Sequence, residues 1–201
     1  MNTKLETFYK YRSIKDFKRF MDILVHNRLY STDFGNLNDP MEGVFTFSSK
    51  IESSIITKLK DEKSKMKICS FSRTYKHGLM WSFYADEHRG CCFEVEVDDC
   101  SDLWEKVLVD YKENFYNLSD SSTVIEILSR KSKQWNYEKE VRFLKESNTD
   151  TMYLPVKIKK IYLGMRMCDE DKKLIKKIVN AINSGIEIIE MKKEDIDFGY
   201  L

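Results

Sequence analysis

The sequence predicts an α+β fold: a mostly antiparallel sheet, open to being split in two, with helices packed against it. Two observations point there. Short runs of alternating apolar and polar residues are interleaved with runs of helical period, yet they never form regular βαβ units. The chain also has the material for a real core, with 42% hydrophobic and 13% aromatic residues among 201. Only 7 Gly and 2 Pro exclude collagen-like, low-complexity and linker-rich architectures, and the composition is wrong for a disordered chain. A single domain over residues 1–201 is expected.

Residues 8–12 alternate as a strand, and Ser13 is placed to cap the helix that follows. In that helix Phe17, Phe20, Met21 and Leu24 make one apolar stripe, with Lys15, Lys18, Arg19 and Asp22 facing out. Residues 29–31 lead into a turn-rich segment over 34–40. A helix is predicted over 51–63 and a buried strand over Met66–Ser72. A short helix then carries Leu79, Met80, Trp81 and Tyr84; Gly90 stops it, and Cys91–Val97 returns as a strand. A strand follows over 106–111, then a helix over 124–133. Residues 141–144, 153–156 and 158–163 read as closely spaced strands, Asp169–Ile182 as a lysine-rich amphipathic helix, and 186–189 as a last short strand.

Several function classes are excluded or disfavoured by composition. A net charge of +1 carries no global nucleic-acid footprint. Charge is nevertheless uneven: residues 86–102 hold seven acids and one Arg, whereas 157–177 hold eight basic residues and three acids. These are two solvated faces of opposite sign, or the second is a basic rim for phosphate or nucleic acid. No apolar run approaches the roughly 18–20 residues of a membrane span, so no membrane partner is expected. Residues 1–6 lack the apolar core of a signal peptide, and a cytoplasmic location is expected. The five cysteines (Cys69, Cys91, Cys92, Cys100 and Cys168) contain no Cys-x-x-Cys, and the three histidines form no ligand motif. Reduced, mostly buried thiols and no metal are expected.

Four blocks could carry chemistry. In 9–13, Arg12 ends a strand between aromatics, where a guanidinium can fork onto a phosphate; it can equally be a surface arginine. In 38–43, Asn38-Asp39-Pro40 is a strong turn signal, either a plain connection or a loop whose Asn38 or Asp39 bonds a ligand hydroxyl. On a strand, Ser70 and Ser72 share one face, opposite Phe71. Trp81 and Tyr84 share a helix face, as core residues or as a stacking platform. In 135–142, entry into a strand would line up Glu138, Glu140 and Arg142 on one face. Adjacent carboxylates repel unless a cation or ligand uses them; Arg142 is one such cation, and a ribose ligand is the other reading. Glu94-Val95-Glu96 repeats the spacing but lies in the acidic stretch without flanking Trp, Tyr and Arg.

Taken together, Tyr9-Lys10-Tyr11-Arg12, residues 38–43, Cys69-Ser70-Phe71-Ser72, residues 80–85 with Gly90, and residues 135–142 resemble a bacterial family known as domain of unknown function 2971. They run in that family's order over about the first three quarters of the chain. Arg12, Ser70-Phe71-Ser72 and Glu138-Lys139-Glu140 also resemble the arginine, serine-x-serine, glutamate-x-glutamate series of ADP-ribosyltransferases, except that Phe71 stands where a small polar residue is common. That resemblance implies a split, mostly antiparallel sheet that clamps NAD. It implies Arg12, with Tyr11 and Ser72 beside the same strands, at the NAD phosphates or nicotinamide ribose. It implies Ser70 supporting the ribose and Glu140, Glu140 on the ribose 2′-hydroxyl, Glu138 orienting the acceptor, and Trp81 or Tyr84 stacking on nicotinamide. RNA, DNA or protein would be the acceptor, and the role would be that of an intracellular toxin or phage-defence effector, with an antitoxin as partner. Two other readings stand beside it: a non-catalytic nucleotide or nucleic-acid binding module, and a carboxylate-based nuclease or hydrolase using Asp39, Glu138 and Glu140.

Overall fold

The structure, a computed structural model, describes residues 6–97, 103–149 and 152–198; Cys100 and most of the 1–6 segment lie outside them. Its elements run β1 (Thr7–Arg12), α1 (Phe17–His26), β2 (Arg28–Tyr30), β3 (Thr32–Asp33), β4 (Phe45–Thr46), α2 (Ser53–Ser64), β5 (Met66–Ser72), α3 (Gly78–Tyr84) and β6 (Cys91–Val97). They continue β7 (Glu105–Leu108), β8 (Asp110–Lys112), β9 (Tyr116–Asn117), α4 (Val124–Leu128), β10 (Arg130–Ser132), β11 (Glu140–Glu146), β12 (Tyr153–Leu163), α5 (Asp169–Ile182) and β13 (Glu187–Glu190). The fold is mixed, with mostly antiparallel strand pairing, as the two periodicities predict. No helix among the described residues is long and apolar enough to cross a membrane.

The chain divides into two compact units: Met1–Leu29, Phe71–Ser101 and Leu154–Leu201 form one, Tyr30–Ser70 and Asp102–Tyr153 the other. In the first, β6 lies between β1 and β12 and pairs antiparallel with both, with Tyr11 opposite Cys92 and Ile161 opposite Phe93. Phe93, Val95 and Val97 point inward while Glu94 and Glu96 point out, so this Glu-x-Glu is the polar face of a half-buried strand. Glu94 accepts a hydrogen bond from the Tyr162 hydroxyl at 2.5 Å. The two strands expected over 153–156 and 158–163 are one, β12, in which a register shift between Ile158 and Lys160 breaks the alternation. Helix α1 buries Phe20, Ile23 and Leu24, with the Phe20 ring 5.7 Å from Phe93. Phe17 is 45% exposed, so the stripe is rotated from the expected one. Asp16, not Ser13, caps α1; the Ser13 hydroxyl accepts the Lys15 N–H instead. Helix α5 has the expected bounds, because Asp169, Glu170 and Asp171 favour its N-terminus and Ile175 and Val179 bury one face.

Helix α3 ends at Tyr84, well before Gly90. The intervening Asp86, Glu87 and His88 all have positive φ, an uncommon run for residues with side chains. Backbone bonds from Glu87 to Ser82 and from His88 to Trp81, both 3.1 Å, hold the turn. Gly90 serves close approach rather than helix termination: a Cβ there would lie 2.3 Å from the Arg12 carbonyl oxygen.

In the second unit β11 pairs antiparallel with β7, and β3 with β5, while β8–β10 and β4–β9 are short parallel pairs. Leu59 from α2, Met66 and Ile68 from β5, Val124, Ile127 and Leu128 from α4, Leu118 and Leu144 form its core. Two expectations fail here. The strand over 106–111 is interrupted at Val109. The helix over 124–133 stops at Leu128, because Lys131 pairs with Tyr111 in β8 and residues 130–132 become a strand.

Candidate functional site

The Thr123 capping box starts α4, and the strand that follows it carries Lys131 inward. Lys133–Glu138 makes a 3-10 turn, and Lys139 is left-handed at φ 46° before β11 begins. Glu138 is therefore not on the strand with Glu140 and Arg142, as the period-two reading expected. The turn brings it into the same cluster by another route. Lys131 Nζ bonds Glu138 at 2.5 Å and Glu140 at 3.2 Å, and lies 3.1 Å from Glu42. Arg142 donates to Glu140 through Nε at 2.8 Å and Nη2 at 3.0 Å, to Glu42 through Nη2, and to the Leu128 carbonyl at 2.7 Å. All five charged side chains are buried.

Three carboxylates face two cations, so the cluster carries one formal negative charge in excess. Burial alone would raise the Glu140 pKa. The Arg142 and Lys131 charges, with hydrogen bonds from Arg142 and Ser70, outweigh it and hold the carboxyl well below the usual range. Burial likewise acts to lower the Lys131 pKa, but Glu140, Glu42 and Glu138 together raise it. Both groups are thus ionised at neutral pH. The Glu140 backbone N–H donates to the Tyr111 hydroxyl at 2.7 Å, which fixes the start of β11. A carboxylate offers about four acceptor positions. Two bonds from Arg142, one from Lys131 and one from Ser70 fill those of Glu140.

Ser70, Glu138 and Glu140 thus meet in the second unit. Asn38 and Asp39 belong to the same unit, but Asp39 is buried and its carboxylate accepts the Met41 N–H at 2.9 Å, closing the turn. Asn38 is exposed. Arg12, Tyr11, Ser72, Trp81 and Tyr84 belong to the first unit. Arg12 ends β1, half-buried, as expected. Tyr11 and Trp81 are core residues instead of a ligand platform. Their rings meet edge to face at 5.3 Å, the Tyr11 hydroxyl donates to the Thr74 carbonyl, and the Trp81 indole donates to the Tyr75 carbonyl. Trp81 is fully buried and stacks with His88, so it has no face open to nicotinamide. Ser72 is also buried, and its hydroxyl accepts the Thr74 N–H at 3.2 Å. Tyr84 is half-buried.

Sequence reasoning missed Glu42 and Lys131. Glu42 stood in the quoted 38–43 block, and a carboxylate beside a turn was a signal that could have been used. Lys131 gave none, since a lysine among Arg130 and Lys133 reads as a solvated helix face. Lys131 also occupies the place between three carboxylates that a hard cation would take. Among the described residues no group of three or more His, Cys, Asp or Glu is arranged to hold a metal ion. No family model, no curated protein and no solved structure matches this chain.

Proposed function

We propose that the chain is an NAD-dependent ADP-ribosyltransferase in which Glu140 is the carboxylate that faces the reacting ribose. The observation that carries this reading is the hydrogen bond between Ser70 and an ionised Glu140, inside a cluster with excess negative charge. NAD would supply the ADP-ribosyl group and nicotinamide as leaving group. A negative cluster favours positive charge developing at an anomeric carbon as that bond breaks. The Ser70 bond is the one a ribose hydroxyl would replace on Glu140, since Arg142 and Lys131 are buried and fixed. Glu138 would accept the proton of the attacking acceptor.

The test is incubation with labelled NAD and cell extract, RNA or DNA. Label transfer is expected from the native chain. Glu140→Gln should reduce it by about 10²-fold or more, and Ser70→Ala by less. A native chain that neither transfers label, hydrolyses NAD nor binds it overturns the reading. A second reading rests on the filled acceptor positions of Glu140: the cluster is a structural centre and the chain a non-catalytic nucleotide-binding module. Salt-sensitive nucleotide binding without turnover, unchanged in Glu140→Gln, supports that alternative.

A further inference from the structure

We propose that a polar cleft in the second unit, built from residues other than the Glu140 cluster, binds a phosphomonoester. The cleft holds about 360 Å³ and is lined by Asp33, Lys65, Lys67, Ser147, Asn148 and Thr149, among others. That volume is at the small end of ligand pockets, which run from about 300 to 1,000 Å³. It suits a phosphorylated polyol rather than a dinucleotide.

Its central group is Lys67. Met66 and Ile68 point into the apolar core, so strand alternation sends Lys67 to the opposite face of β5. Asp33 lies opposite in register on β3 and pairs with the Lys67 ammonium. The Lys67 side chain is only 5% exposed. An ammonium has three donors, and Asp33 is its one hydrogen-bonding partner among the described residues. A buried cation with donors left over beside a cleft is a site for an acceptor-rich ligand.

The far wall is equally polar. The Ser147 N–H donates to the Lys65 carbonyl at 3.0 Å, which ties the loop after β11 to the start of β5. The Ser147 and Thr149 hydroxyls bond each other at 2.8 Å, and the Thr149 N–H donates to the Ser147 hydroxyl. Lys65 adds a second positive charge, with Asp61 at 2.6 Å. With Asp61 counted beside Asp33, two cations face two anions, so a phosphate is drawn by the Lys67 donors that Asp33 does not fill and by the Ser147 and Thr149 hydroxyls, not by net charge. Asp33 would accept from a ligand hydroxyl and Lys67 would donate to the phosphate. The Asn148 amide is exposed at the rim, where either kind of group could reach it.

Amide NMR titration with inorganic phosphate, ribose 5-phosphate and unphosphorylated ribose tests the assignment. Saturable shifts at Lys67 and residues 147–149 are expected with both phosphates and not with ribose. Tighter binding of the ester shows that its polyol is read as well as its phosphate; equal affinity shows a site for free phosphate. Lys67→Met should weaken phosphate binding about tenfold or more. Loss of the Asp33 partner could unfold that variant. Asn148→Asp, which places a like charge on the exposed rim, should then show the same loss. No saturable shift at these amides with either phosphate, or undiminished binding in Asn148→Asp, overturns the proposal.

Discussion

Arg142 meets three separate demands with one guanidinium: the Glu140 fork, the Glu42 carboxylate and the terminal carbonyl of α4. Removing it leaves buried carboxylates without their cation. Arg142→Leu should therefore destabilise the fold by about 3–5 kcal/mol in urea unfolding. Arg142→Lys should recover little, because a single ammonium cannot reproduce the planar fork. Acid acts on the same cluster. The folded Glu140 pKa lies below its unfolded value, so its stabilisation is complete above the ordinary glutamate range. It is lost as pH falls through and below about 4.5. Glu140→Gln should flatten that acid limb of a stability–pH curve. Glu140 and Arg142 were legible because two residues on one strand share a face whatever surrounds them. Lys131 was not, and the turn signal at Glu42 did not name its partners, because the sequence does not state which distant charges will meet in a core.

At the scale of elements, the turn between α3 and β6 concentrates unusual backbone. Three left-handed residues precede Gly90, which packs against the β1 carbonyl of Arg12. Gly90→Ala should cost about 1–3 kcal/mol by overpacking, read as a lowered Tm. His88 in this turn is buried. Desolvation and the nearby Arg166 lower its pKa, so the fold resists its protonation. Stability should accordingly fall as pH drops below about 6.5, the unfolded value. His88→Asn removes the titration at a position where Asn tolerates a positive φ. The difference in Tm between pH 7.5 and 5.5 should therefore shrink in that variant. Elements with their own local signals were readable: α5 has charge and periodicity, and β5 and β6 have dense apolar runs. The end of α4 was not, because pairing of Lys131 with Tyr111 across distant sequence overrides local helical preference.

Over the whole molecule, neither unit is one continuous stretch of chain: one takes three segments and the other two. A fragment that ends at residue 101 has all of β1, α1 and β6 but lacks β12, β13 and α5, and β6 loses its antiparallel partner on one side. Such a fragment should show no cooperative thermal unfolding by circular dichroism, whereas the full chain should. The mostly antiparallel pairing was predictable because strand and helical periods intermix without forming regular βαβ units. The interleaving was not, because no Gly- or Pro-rich segment marks the crossings.

That interleaving also sets an order of assembly on the ribosome. The second unit has all its residues once Tyr153 emerges, while the first still awaits Leu154–Leu201. At roughly 5–20 residues per second, the nascent polypeptide spends seconds with Lys131, Arg142 and their three glutamates already able to assemble. During that interval β6 still exposes the edge that β12 will later cover, the stage at which a chaperone would find it.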